Sequence, residues 1–403
     1  MAPRWLVPVL TAACAALLVA SSTVAVARSG RHTHRASVRA SAGTTTSSPS
    51  STSTTGAVAP GGVDAVVAQL EAFVAKERGL PFVHPVGVTL LPDAAFRARL
   101  AADSPSNQAD VSKAEKVLRA LRLLAKGVDL AKTEQSLLGG AVAGFYDPKK
   151  KDLVVRGGDS TSPYVREVLA HELTHADQDQ HFGIDRPDLD KLNDEQSQAF
   201  SALIEGDAVR IQHAYLASLP SSERRKANAE ELSLGGNIGS PPPVLIDTLE
   251  FPYTFGEPFV DAVVKAGGEA RLDAAFVHPP TTSEQILHPQ LFLAGQGALP
   301  IDPPPADGPV IDRGVVGEFG LLLLFLDSTQ PLSQAEAARA VQGWGGDHYV
   351  AWDQGSQTCV RARFVMDTPT DTDQLVSALH HWAANQPGVT VDGTGPVTLT
   401  SCG

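Results

Sequence analysis

The stretch Ser162-Pro163-Tyr164-Val165-Arg166-Glu167-Val168-Leu169-Ala170-His171-Glu172-Leu173-Thr174-His175 constrains this chain more than any other. Ser162 is a good N-cap and Pro163 a good first helical residue, so a helix starts here by local rules alone. Val165, Val168, Leu169 and Leu173 then give it an apolar stripe. On that helix His171 and His175 stand one turn apart on the same face, where two neutral imidazoles can share one zinc ion. Glu172, rotated by about 100°, can reach a water on that ion. Random placement of the 12 histidines would produce the pattern about 0.015 times in a chain of this composition, so coincidence is a poor account of it.

A catalytic zinc takes a third protein ligand and keeps one position open. The helix expected over 192–219 carries Glu205 amid apolar and small residues (Phe200, Leu203, Ile204, Gly206, Ala208). A carboxylate there is costly to bury unless something positive meets it. A metal would serve; so would a salt bridge to Arg210. The thirty residues from His175 to Glu205 allow one helix to end, loop through Gly183 and Pro187, and return antiparallel. Asp207 lies about 200° around the helix from Glu205 and is expected behind the ligands or in solvent.

The rest of the chain sets where this chemistry happens. Residues 1–27 begin with Arg4, continue through an apolar run from Trp5 to Ala20 and end in Ala25-Val26-Ala27. They read as a secretory signal peptide with an AxA cleavage site or as an uncleaved membrane anchor, which places the remainder outside the cytoplasm, secreted or tethered. Residues 28–60 are Ser, Thr, Ala, Gly and Arg with almost no large apolar side chain, the composition of a disordered linker. The five arginines of residues 1–60 face no acid there. The remaining 27 basic and 45 acidic residues give the body a charge of −18, against nucleic acid as a partner.

Beyond the linker the pattern is α+β. A helix is expected over 63–78, a strand over 86–91, an amphipathic helix over 111–124 and a β-hairpin over 139–156 with its turn at Asp147-Pro148. Helices are expected again over 317–327 and 333–341, after a proline-rich link at 300–309. In the tail, strands are expected at 348–353, 358–366 and 389–401 around a helix at 371–385. Cys14 falls in the N-terminal segment, which leaves Cys359 and Cys402 for a bridge pinning the C-terminus or as two buried thiols. No CxxC motif or Cys/His cluster is present.

His171-Glu172-Leu173-Thr174-His175, with Glu205-Gly206-Asp207-Ala208 on a later helix, resembles the gluzincin metallopeptidases, the thermolysin-like group. It resembles more closely a set of secreted bacterial peptidases of unassigned substrate, through Ser283-Glu284-Gln285-Ile286-Leu287-His288-Pro289 and Gly343-Trp344-Gly345-Gly346-Asp347. The resemblance implies a mainly helical zincin-like core over 61–300 with a small sheet, and a smaller α+β region over 301–403 packed on it. It implies one Zn2+ per chain on His171, His175 and Glu205, Glu172 as general base, and a peptide or protein substrate. His288 is the first candidate for stabilising the oxyanion, with Tyr146 and Tyr253 next. His181, His213, His348, His380 and His381 are expected to be structural or solvated. The chain departs from the thermolysin pattern at Val209, where an acid usually follows the ligand Glu by four residues. The edge-strand Asn-Ala pair that usually holds substrate is not evident either, and Gly144-Phe145-Tyr146 is its best local substitute. A different class remains open: a secreted or envelope-associated binding protein on a catalytically silent metallopeptidase scaffold.

Overall fold

The computed structural model describes residues 14–17, 62–103, 108–157, 161–234 and 240–403. The linker reading, and the N-terminal segment apart from its residues 14–17, lie outside the described residues. Cys14–Leu17 form a short strand, β1. Among the described residues no helix is long and apolar enough to cross a membrane.

The first half of the chain builds a small sheet and lays helices against it. After α1 (Val63–Arg78) come β2 (Gly87–Leu91), α2 (Asp93–Asp103), α3 (Gln108–Ala120) and α4 (Leu130–Ala141). The hairpin follows as β3 (Val142–Asp147) and β4 (Asp152–Arg156), with the Asp147 side chain accepting from Lys149 N and Lys150 N to close its turn. Gly139 and Gly140, expected in the hairpin, instead finish α4. The Asp129 carboxylate caps that helix at Lys132 N, and it runs on until Val142 turns extended. Strand order is β1-β3-β4-β2, with β2 parallel to β4 and the other pairs antiparallel. The hairpin strands are buried almost throughout, because α2 and α4 cover one side of the sheet and the motif helix the other.

That helix is α5 (Pro163–Phe182), with Ser162 Oγ accepting from Val165 N and Gly183 ending it in the left-handed region at φ 65°. A 3-10 turn at Leu189–Lys191 leads to α6 (Asp194–Ser218), where Asn193 and Gln196 form a capping box. The chain continues through α7 (Ser221–Leu234), α8 (Pro243–Gly267), α9 (Glu269–Val277), α10 (Ser283–Leu287) and α11 (Pro289–Leu293). Helices α6 and α8 meet backbone to backbone at Gly206 and Gly256. A Cβ on Gly206 would lie 2.2 Å from Gly256 C, so only glycine permits the crossing.

The tail forms β5 (Val310–Gly314), α12 (Gly317–Leu326), α13 (Gln334–Val341), β6 (Trp344–Gln354), β7 (Gln357–Met366), α14 (Pro369–Ala383), β8 (Val389–Asp392) and β9 (Val397–Cys402). Its sheet is antiparallel in the order β5-β6-β7-β9-β8. Cys359 and Cys402 stand directly opposite on β7 and β9 and are joined as a disulfide, the first of the two readings the sequence left open. The class is α+β, as expected. One apolar core runs from Val66 and Leu70 on α1, through Leu169, Leu203 and Phe259, to Trp344, Leu375 and Leu399 in the tail.

Candidate metal centre

Helix α5 brings His171 and His175 to one buried face, and α6 delivers Glu205 opposite them. His171 Nε2 lies 3.1 Å from His175 Nε2 and 3.1 Å from Glu205 Oε2, and His175 Nε2 lies 3.3 Å from the same oxygen. Among the described residues this is the group of His, Cys, Asp and Glu side chains that could hold a metal ion. The spacing fits: ligands about 2.0–2.1 Å from one tetrahedral ion stand about 3.3–3.4 Å from each other. The alternative partner for Glu205 is excluded, because Arg210 spends its guanidinium on Asp207 and Glu269.

The electrostatics ask for positive charge. Burial would raise the Glu205 carboxyl, but the facing imidazoles outweigh it and hold the group at about 2. Burial likewise opposes charge on His175, and Glu205 lifts it to about 9; His171, fully buried beside that cation, is lowered. Without a metal, a proton on His175 therefore neutralises Glu205. A cation between the three groups would take over that task.

Each histidine is held from behind by a glutamine. His171 Nδ1 lies 2.9 Å from Gln212 Oε1, and Gln212 Nε2 donates to Glu167 Oε1 at 2.7 Å. His175 Nδ1 lies 3.0 Å from Gln178 Oε1, and Gln178 Nε2 donates to Ile204 O and to Asp207 Oδ2. Asp207 is thus buried behind the group, where it also meets Arg78 Nε at 2.8 Å. Arg78 is itself fully buried at the end of α1. Burial would lower its pKa, but Asp207, Asp273 and Glu269 raise it.

Glu172 is buried beside the pair, and its charge acts on His175. Its Cγ packs over β3 at Gly144, where an added Cβ would come within 3.3 Å of it and 2.7 Å of Val168 Cγ1. Tyr253 of α8 stacks on the His171 ring, centroids 6.3 Å apart and planes 25° from parallel. The Gly206–Gly256 crossing is what lets α8 approach α6 closely enough for this.

Other expected site residues stand elsewhere. His288 does not join the group; its Nε2 pairs with Glu318 Oε1 at 3.1 Å. It belongs to a contact between core and tail, in which Glu195 Oε1 accepts from Ser283 N and Oγ, and Asp347 accepts from Val316 N, Gly317 N and Trp344 Nε1. That contact meets α6 at Glu195, ten residues or about 15 Å of helix from Glu205. The physical reason is the buried carboxylate of Glu318, which holds the imidazole where it lies. Tyr146 is likewise committed, donating to Asp179 Oδ2 at 2.7 Å. His213 meets Glu257, His348 the carbonyl of Gly314, and His381 Glu336.

Sequence reasoning missed Gln178, Gln212, Glu167 and Arg78. The glutamines carry no local signal, since their partners lie on other turns or other helices. Gly206 did offer one: a glycine costs a helix interior about 0.5–1 kcal/mol relative to alanine, so it needs a packing reason.

The family model for a domain of unknown function, DUF8575, matches residues 308–400, from just before β5 into β9 and clear of the three converging residues. No curated protein matches the chain. Among solved structures, a protein of Chloroflexus aurantiacus described as a proposed hydrolase with a novel fold aligns at a TM-score of 0.40 and 19% identity, over 57% of this chain and 87% of that one.

Proposed function

We propose that this chain is an exported zinc-dependent hydrolase of peptide bonds, in which His171, His175 and Glu205 hold the metal and Glu172 is the general base. The observation that carries the reading is the triangle of two Nε2 atoms and one carboxylate oxygen, 3.1–3.3 Å on a side, buried next to a second carboxylate on the same helix. Structural zinc sites are closed by four protein ligands, whereas two imidazoles and one carboxylate are a catalytic set with a position to spare. Among the described residues no fourth His, Cys, Asp or Glu joins the group. Zinc in such a set acidifies water and polarises a carbonyl.

The protein's own groups do the rest. Glu172 accepts the proton of the attacking water and passes it to the departing amine. Tyr253, whose ring is stacked with that of His171, is the candidate that remains for stabilising the negative charge that develops on the carbonyl oxygen. The acidic body disfavours nucleic acid as a substrate, and the resemblance to the gluzincin peptidases supports a peptide or protein.

The test is Glu172→Gln in the full chain. It keeps its zinc and loses cleavage of a proteome-derived peptide library by at least about 10²-fold, the usual range for a general base. A wild-type protein that holds no zinc after supplementation, or a Glu172→Gln variant that cleaves as well as wild type, defeats the proposal.

A further inference from the structure

We propose that Gln178 and Gln212 are positioning residues, which fix both ligand histidines with the proton on Nδ1 and so keep both Nε2 lone pairs turned toward Glu205. The inference rests on the metal-site reading above, and deepens it. Each amide has a defined orientation because its nitrogen end is already engaged. Gln212 Nε2 donates to a carboxylate oxygen of Glu167; Gln178 Nε2 donates to the Ile204 carbonyl and to Asp207. Carbonyl and carboxylate oxygens accept hydrogen bonds, so these contacts identify the nitrogens and leave each Oε1 facing an imidazole.

An amide oxygen 2.9 or 3.0 Å from Nδ1 requires a hydrogen on Nδ1. A neutral imidazole has one such hydrogen, so Nε2 is then a bare lone pair on both rings. Those lone pairs lie 3.1 Å apart and face the same carboxylate oxygen, three acceptors around one point. Only a positive charge makes that arrangement favourable, the proton shared by His175 and Glu205 in the metal-free protein or the metal ion that displaces it, and the glutamines aim both Nε2 atoms at its place in either state. They also do so without adding charge: the carboxylates that order them, Glu167 and Asp207, stand one amide further back. This answers the gap at Val209. The acid expected behind one ligand histidine is replaced by an amide behind each, drawn from α6 for His171 and from α5 itself for His175.

The test compares zinc affinity, by competition with a chelating dye, in the full chain carrying Gln212→Leu, Gln178→Leu, or the exchange Gln212→Glu with Glu167→Gln. Each leucine variant is expected to bind zinc about 10–100-fold more weakly, the usual effect of removing a group behind a ligand. The exchange restores an acceptor behind His171 and an amide behind that, and is expected to bind at least as tightly as wild type. In 15N spectra of the zinc-loaded protein, His171 Nδ1 carries a slowly exchanging proton in wild type and loses that protection in Gln212→Leu. Unfolding of the metal-free proteins separates a general loss of stability from a loss of affinity. Should Gln178→Leu fail to fold, Gln212, only partly buried, still decides the matter. Wild-type zinc affinity and an unchanged Nδ1 proton in Gln212→Leu would overturn this inference alone. Absence of zinc from wild type would overturn the metal-site reading with it.

Discussion

Replacing Gly206 by alanine sets two effects of opposite sign against each other. In an isolated helix the change is favourable by about 0.5–1 kcal/mol, since glycine gives up more chain entropy on folding. Here the added Cβ would stand 2.2 Å from Gly256 C, 2.3 Å from Gly256 O and 2.7 Å from Glu257 N, whereas ordinary contact begins at 3.4 Å. The obstacles are backbone atoms, which cannot rotate away, so α6 and α8 must part by about an ångström at their crossing. That loosens the apolar face of α8, where Phe251, Phe259, Val260 and Val263 are fully buried. Overpacking of this kind costs about 1–3 kcal/mol, more than the helix gains. Gly206→Ala is therefore expected to lower the urea midpoint at unchanged slope, a net loss of about 1–2 kcal/mol. It should also weaken zinc binding, because Glu205 is the neighbouring residue and Tyr253 loses its seat on His171. A variant as stable as wild type, or more stable, would refute the reasoning, since helix propensity alone predicts that result.

Three further outcomes follow from contacts outside the His171–His175–Glu205 triangle. Arg78→Leu takes the buried guanidinium from Asp207, Glu269 and Asp273 and leaves Arg210 as the remaining cation on the first two, and equilibrium unfolding should show a loss of about 3 kcal/mol. Burial pushes the Glu195 carboxyl up to about 8, so the folded chain keeps a proton that the unfolded chain sheds above about 4.5. The stability this confers is complete below pH 4.5 and declines by about 1.4 kcal/mol per pH unit until it is lost through pH 8. Thermal unfolding of Glu195→Gln between pH 5 and 8 should show a flatter pH dependence than wild type, and an unchanged slope would refute the assignment. Reducing Cys359–Cys402 opens a loop spanning 43 positions, and the unfolding free energy should drop by up to about 4 kcal/mol on chain entropy, with no drop contradicting it.

Much of this architecture is written in local terms. The Ser162 cap, Pro163 and the apolar stripe define α5 before any tertiary contact, and the spacing of His171 and His175 then follows from helix geometry. Glu205 was legible for a different reason: a carboxylate in an apolar run must meet something positive. What stayed hidden depends on contacts between distant segments. Nothing near Gln212 reveals that it stands between His171 and Glu167, and nothing near Arg78 reveals three carboxylates from α6 and α9. His288 shows how a motif can also carry a packing contact. Its motif drew attention as chemistry, but Ser283, Glu195, Glu318 and Asp347 make that segment part of the contact between core and tail. The boundary error at Gly139-Gly140 is of a third kind, in which two glycines that read as a turn were absorbed by a helix capped ten residues earlier at Asp129.

The proposed hydrolase depends on one cation shared by His171, His175 and Glu205. The most direct measurement is the zinc content of the purified full chain after dialysis, set beside that of Glu205→Ala and His175→Ala, with X-ray absorption at the zinc edge to count nitrogen and oxygen neighbours. One zinc per wild-type chain, bound through two imidazoles and a carboxylate and largely lost from both variants, is the expected result. Wild-type protein without zinc, or variants that retain it with the same neighbours, would contradict the account.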